Sequence, residues 1–397
     1  MKKAATQATF RFVLLLGVVS LFADITYEAA RSITGPYLAI LGASATAVGI
    51  VAGFGELIGY GIRIVSGMIS DRTHRYWAVA ITGYAINLLA VPALALAGNW
   101  EIAAVLIMTE RLGKAIRAPA RDAMLSHAAH SLGRGWAFGV HEALDQIGAM
   151  IGPVIVAVVL AWNGSYQMGF AVLIVPALLA LAVLVVARMA YPRPRDLEPS
   201  FQTTEVGKFG STFWFYLAGV ACIGIGFVDY PLAAYHMKTS SLVADKWVPL
   251  IYAGAMGVDG LSALVFGRLY DRKGFPMLLV MIAASAWSAP LVFLSGPLLL
   301  TVGMVLWGVG MGAQESIIRA IVADIVPRDR RATGYGLFYA GFGLTWFAGS
   351  ALMGFLYDQA PIILATFSVA AQLASLPLLY IVYRRLSSAV HNPNQRA

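Results

Sequence analysis

Long apolar runs separated by short polar breaks recur along the chain, each close to the ~20 residues that a helix needs to cross a bilayer. Twelve such segments can be drawn, at 12–40, 46–70, 77–98, 101–126, 136–161, 166–188, 212–237, 247–270, 276–295, 297–324, 332–357 and 360–383. The longest polar break, 189–211, holds Pro192, Arg193, Pro194, Arg195, Asp196, Glu198 and Pro199. It reads as a solvated linker on the cytoplasmic side. The pattern predicts an all-α membrane protein of twelve transmembrane helices in two pseudo-symmetric six-helix bundles, 1–188 and 212–397, the second ending in a short cytoplasmic tail.

Composition agrees with the pattern. Hydrophobic residues make up 59% of the 397 positions and charged residues 12%, where a soluble domain carries about a quarter charged. Too few charges remain to cover a water-facing surface, so lipid must cover it. The net charge of +8 would suit nucleic acid, but the positions of the basic residues give another reason for it. Most Lys and Arg fall in segments on one side of the twelve-span layout, including Lys2, Lys3, Arg72, Arg75, Arg134, Arg193, Arg268, Arg272, Arg328 and Arg384, and only Lys238 and Lys246 fall on the other. By the positive-inside rule that side is cytoplasmic. Both termini are expected there, in an inner membrane, with no nucleic-acid partner. Trp77, Trp136 and Trp214 at predicted cytoplasmic ends, and Trp100, Trp162 and Trp247 at outer ends, fit the headgroup preference of tryptophan. The apolar start 12–21 imitates a secretory signal but runs on past Asp24, so it is read as a retained first span. A single cysteine, Cys222, excludes a disulfide framework and a cysteine-based zinc site. No Walker loop, nucleophile elbow or zincin motif is present; Gly308, Gly310 and Gly312 are read as helix packing. No cofactor, no metal and no enzymatic activity are expected.

An internal repeat gives the halves a common plan. Between spans two and three stands Gly67-Met-Ile-Ser-Asp71-Arg72-Thr-His-Arg75, and between spans eight and nine Gly267-Arg-Leu-Tyr-Asp271-Arg272-Lys273. A second echo links Phe22-Ala-Asp24 to Phe227-Val-Asp229. Two parallel halves of this kind are the plan of one large transporter class. On these residues the chain resembles the major facilitator superfamily along nearly its whole length. The paired loops are similar to that family's cytoplasmic signature, and the resemblance assigns gating to Gly67, Asp71, Arg72, Arg75, Gly267, Asp271 and Arg272. Arg111 resembles the family's buried arginine, and Asp122 is an acid that Arg72 and Arg75 could bridge. Gly148-x-x-x-Gly152-Pro153 in span five resembles the antiporter motif, with Val156 and Ala157 where glycines usually follow; its residues are expected to serve helix packing. The segment Gly113-Lys-Ala-Ile-Arg117-Ala-Pro119-Ala-Arg121-Asp122 looks like a subgroup of bacterial members.

Charges inside spans are costly, about 2.5–3.5 kcal/mol each at mid-bilayer on insertion scales, so they must pair or line a polar interior. In span one Asp24, Glu28 and Arg31 share a helical face, and Glu28 and Arg31 are spaced to pair. Asp24 is left with the least local compensation. Span four presents Glu110, Lys114, Arg117 and Arg121 on one face, which His141 and Asp145 of span five are expected to answer. Span ten offers Glu315 and Arg319 in ion-pair spacing. A structural salt-bridge ladder is the competing reading for Lys114, Arg121, Asp122 and Glu142. Tyr335, Tyr339, Phe342 and Trp346 form a stripe on span eleven, either core packing or a surface on which an organic ligand stacks. His127 and His130 are spaced as metal ligands can be, but loop placement is expected instead.

Together these features predict a monomeric secondary transporter that moves a small organic solute by alternating access, coupled to protons and with export ahead of import. A carboxylate in a poorly hydrated cavity can exchange protons near neutral pH, which makes Asp24 the leading protonation site and Glu28 the second. Tyr27, Arg31, Arg117, Asp145, Asp229, Glu315, Tyr339 and Trp346 are the expected cavity contacts. Three rivals stand beside this reading: a carrier of organic anions or organophosphates using Lys114, Arg117 and Arg31, a metal-cation carrier, and a non-transporting sensor or scaffold. The topology is checked by labelling in a background without Cys222. Ser200→Cys should react with a membrane-impermeant thiol reagent only in opened cells and Ser44→Cys from outside; reaction of both from one side would remove the twelve-span layout.

Overall fold

A computed structural model describes residues 2–129, 134–192, 210–318, 321–322, 325–326 and 331–391. Within these, side chains are not described at 2–8, 71, 126–129, 134–139, 163, 271, 315, 331–336 and 388–391. Among the described residues every regular element is helical. Eleven helices are long and apolar enough to cross a membrane. The remaining long helix, Trp100–Ala129, lies where the fourth span was expected. It misses on composition, since Glu110, Arg111, Lys114, Arg117, Arg121 and Asp122 stand within it. These are the charges expected inside span four, and most of them are paired within the protein.

The chain divides into two compact units. One comprises Met1–Ala43, Phe54–Gln202 and Ala234–Ala253, the other Ser44–Gly53, Thr203–Ala233 and Gly254–Ala397. In the first, span one (Lys2–Ile40) packs along span five (Arg134–Asn163), and span three (Tyr76–Ala93) along span four. In the second, span seven packs against spans eleven (Arg331–Gln359) and twelve (Pro361–His391). These approaches are close. A Cβ on Gly152 would lie 2.4 Å from the carbonyl oxygen of Ile25, and one on Gly349 would lie 2.3 Å from that of Ile225. Lipid tails supply no hydrophobic drive between helices, so such close backbone packing is what holds them together.

The same contacts give the register of the internal repeat. Gly17 meets Leu144, Asp24 meets Gly148 and Ile25 meets Gly152 in one unit; Leu217 meets Gly341, Gly224 meets Thr345 and Ile225 meets Gly349 in the other. One constant shift carries each span-one residue onto span seven, and another carries span five onto span eleven, with the small and large partners exchanged in two of the three layers. Gly55 on Arg111 and Gly308 on Ala255 obey the same shifts. The structural counterpart of Asp24 is thus Gly224. Asp229, its echo in sequence, lies five residues beyond, which is more than a helical turn.

Span seven is also broken there. Helix Ser211–Gly226 stops and helix Tyr230–Thr239 begins after Phe227, Val228 and Asp229. Pro231 explains the restart, because it lacks an N–H and suits the first turn of a helix. The freed carbonyls find side-chain donors, as backbone at membrane depth must. Ser368 Oγ and Gln372 Nε2 donate to Gly226 O at 2.6 and 3.2 Å, and Trp307 Nε1 donates to Val228 O at 2.8 Å. Span ten ends in a π turn, Gln314–Ile318.

The packing account is tested at Gly152. Gly152→Val puts a branched side chain against a backbone carbonyl that no rotamer change can clear, so stability should fall by about 1–3 kcal/mol or more. Gly59→Ala, where nothing lies within 4 Å, should melt like the parent protein in detergent. Equal melting of the two variants would show that spans one and five are not in close register.

Candidate functional site

The charged row of span four organises the first unit. Arg111 reaches Glu56 of span two at 3.2 Å and Glu110 of its own span at 3.3 Å. Glu56 also receives Arg31 of span one at 3.6 Å. Asn87 of span three donates to the Glu110 carboxylate at 2.7 Å and to its backbone carbonyl at 3.0 Å. Lys114 Nζ stands 3.9 Å from Glu28 and 3.7 Å from the centre of the Tyr27 ring. Tyr252 donates a short hydrogen bond to the same Glu28 carboxylate. Arg121 pairs with its neighbour Asp122 at 2.9 Å and donates to Ser20 at 3.2 Å.

Three expectations change on this geometry. Arg111, Lys114 and Arg121 have acids of spans one, two and four within 4 Å, while Asp145 of span five bonds His141 at 3.3 Å and acts on Arg121 without a direct ion pair. Glu28 draws its cation from span four, because Lys114 crosses to it and Arg31 reaches over to Glu56. Asp122 is held by Arg121 and is half exposed rather than bridged by Arg72 or Arg75.

Asp24 lies at the centre of this set, 4% exposed, with its Oδ1 unpartnered. Tyr27 of its own span, Lys114 and Arg117 of span four and Asp145 of span five surround it. Arg117 is 1% exposed, and its Nε and Nη1 find no acceptor. Its guanidinium instead lies over the ring of Tyr84 at 4.3 Å and that of Tyr27 at 5.6 Å. The structure thus brings Asp24, Tyr27, Glu28, Arg31, Arg117 and Asp145 into one unit. Glu56, Tyr84, Asn87 and Tyr252 join them without having been picked out as site residues. Glu56 and Asn87 carry a legible signal, a polar side chain in an apolar span; Tyr252 carries none.

In the second unit, Trp346 Nε1 and Ser350 Oγ both donate to Asp229 Oδ2 at 2.9 Å. Trp346 is buried, and its ring packs on Phe227 and Phe342 at 5.7 and 5.4 Å. Tyr339 packs edge-on against Phe338. The side chain of Glu315 lies outside the described residues; its backbone is in the π turn.

The paired loops share a backbone device. His74 and Gly274 occupy equivalent places just after the helix ends, both left-handed with φ of 56° and 69°, and the second copy uses the residue that suits that conformation. Gly67 faces Pro119 at 3.6 Å, Gly267 has open space around it, and Arg72, Arg75 and Arg272 are exposed. The side chains of Asp71 and Asp271 lie outside the described residues. Pro153 is buried in span five beside Gly152.

The family model of the Major Facilitator Superfamily matches residues 16–314 and 247–396. The chain belongs to that superfamily. It is therefore a multi-pass membrane transporter and not an enzyme. An uncharacterised protein of Mycobacterium tuberculosis is 42% identical over 384 residues, covering 94% of this chain and 93% of that one. A protein of Lactococcus lactis named as a multi-drug resistance efflux pump homologue is 23% identical over 265 residues, 62% of this chain and 64% of that one. The solved nucleoside transporter NupG (D323A mutant) shares the fold with a TM-score of 0.76 at 15% identity, covering 92% of this chain and 99% of that one.

Glu56 serves two guanidinium groups of this transporter. Glu56→Gln should destabilise it by about 1–3 kcal/mol, less than the loss of a fully buried pair, because Arg111 keeps Glu110 and Glu56 is partly exposed. Melting in detergent reads the effect, and an unchanged midpoint would make the Glu56 pairs incidental.

Proposed function

We propose that the transporter moves a small organic solute across an inner membrane by alternating access and couples that movement to protons through Asp24. The observation that carries this is the Asp24 carboxylate, buried at 4% exposure with an oxygen that has no partner. It lies about 12 residues into the predicted first span, roughly 18 Å along it at 1.5 Å per residue. A buried carboxylate charge is costly at that depth, and with Asp145 beside it as well as Lys114 and Arg117, a proton that comes and goes balances the site. Glu28 is the second protonation site; Lys114 stands 3.9 Å from it and Tyr252 donates to it. The likeness to the Lactococcus protein supports export. Arg72, Arg75, Arg272 and the helix ends beside them carry the gating role, and both termini face the cytoplasm.

A thermal-shift screen of small organic solutes on the purified transporter supplies a ligand for the test. Proteoliposomes enclosing a pH-sensitive dye then report solute and proton movement together. Asp24→Asn, a lasting mimic of the neutral acid, should still bind the solute while pH-driven accumulation is lost, and exchange of solute for solute should survive. Accumulation by Asp24→Asn in response to a proton gradient would exclude Asp24 as the coupling group.

A further inference from the structure

Span four carries four cations in its buried row, and three of them have a carboxylate within 4 Å. Arg111 has Glu56 and Glu110, Lys114 has Glu28, and Arg121 has Asp122. Among the described residues Arg117 has none, and it is the most buried of the four. Its Nε and Nη1 lack acceptors, and so does the hydroxyl of Tyr84, whose ring lies against it. Aromatic faces offset part of the cost of burying a guanidinium, but they give Nε and Nη1 no acceptor. A buried charge without a counter-charge is strongly unfavourable. Donors with no acceptor on a cation with no carboxylate within 4 Å are suited to an anionic oxygen group.

Asp24 is the carboxylate whose charge bears on Arg117. The ionisable groups facing Asp24 are Tyr27 on its own span, Lys114 and Arg117 on span four, and Asp145, bonded to His141, on span five. When Asp24 is ionised its charge offsets Arg117. When it is neutral, Arg117 is left unmatched.

We infer that Arg117, with Tyr84, Tyr27 and Lys114 around it, is the subsite for the anionic group of the transported solute, an organic acid, and that it fills when Asp24 is neutral. The inference rests on the reading of Asp24 as the proton site and adds the substrate class. Proton and organic anion then load together. The cycle is electroneutral for a monovalent acid, and its direction follows the two gradients combined, outward where the acid accumulates inside.

The test uses full-length transporter in detergent, melted with benzoate and succinate, with benzamide and succinamide as neutral counterparts, and with tetraethylammonium. A carboxylate should raise the melting temperature where its amide does not, and more strongly on acidification. Arg117→Gln should weaken apparent affinity by about tenfold or more, as loss of a charge-assisted pair does, and Arg117→Lys should recover part of it. Asp24→Asn should bind the carboxylate with no dependence on pH. Without ligand, Arg117→Gln should melt no lower than the parent protein, since an uncompensated charge has been removed. The proposal is overturned if ligand-free Arg117→Gln melts several degrees lower, which would make Arg117 a structural ion-pair partner. It is equally overturned if every carboxylate is silent, or if only the amides or the ammonium compound stabilise. Failure of the proton reading looks different: Asp24→Asn would accumulate solute under a proton gradient while carboxylate binding still required Arg117.

Discussion

An ion buried where neither water nor lipid can solvate it must be matched by protein, and the first unit of this transporter is arranged around that demand. Glu110, Arg111, Lys114, Arg117 and Arg121 fall on one side of span four because their spacing follows the helical repeat. Once they are there, the neighbouring spans are constrained. Span two must offer Glu56, span one Glu28, and span three Asn87. A helix too charged to pass as a membrane span by composition is thereby made the axis of a membrane domain. The requirement is local, but its effect is to fix which faces of spans one to four can meet.

Close packing sets the rest. Spans one and five, and spans seven and eleven, approach until backbone touches backbone, and their contacts repeat in one register in both units. That register shows what the two halves no longer share. Carried onto span ten, Glu110, Arg111, Lys114 and Arg117 correspond to Trp307, Gly308, Met311 and Gln314. Charge has been replaced by an aromatic ring, a small residue and neutral groups. Trp307 donates to the broken backbone of span seven, and Gly308 lets span ten close onto span eight at Ala255. The repeat preserves geometry while its chemistry has diverged.

The helices, their order and their membrane character were legible from hydropathy and loop signatures, because those depend on composition over whole segments. Pairings were less legible. Helical spacing identifies which charges share a face but not which neighbouring helix that face meets, so the direct partners of Arg111 and Lys114 come from spans one, two and four while Asp145 of span five acts on Arg121 from further off. The echo between Asp24 and Asp229 misled for a related reason. A three-residue match of Phe-x-Asp outranked the register of the surrounding helix, and only the contacts with span five and span eleven reveal that Gly224 occupies the equivalent place. The break in span seven had a signal in Pro231. Tyr252 reaching Glu28 had none, since a tyrosine in an apolar span looks the same whether it packs or bonds.

The two aspartates therefore sit in opposite electrostatic settings. Asp229 stands at the break in span seven, where Trp346 and Ser350 donate to it and Ser368, Gln372 and Trp307 donate to the adjoining carbonyls. A carboxylate placed among neutral donors at a helix break stabilises an irregular backbone, and its hydrogen bonds give it a fixed place in the fold. Asp24 lies in an unbroken helix, against glycine on one side and beside cations on the other, with an oxygen left over. That oxygen takes no hydrogen bond from the fold. An acid with an oxygen that takes no hydrogen bond, surrounded by groups sensitive to its charge, has the freedom that a reversible proton site requires, whereas Asp229 accepts from Trp346 and Ser350 beside the break in span seven.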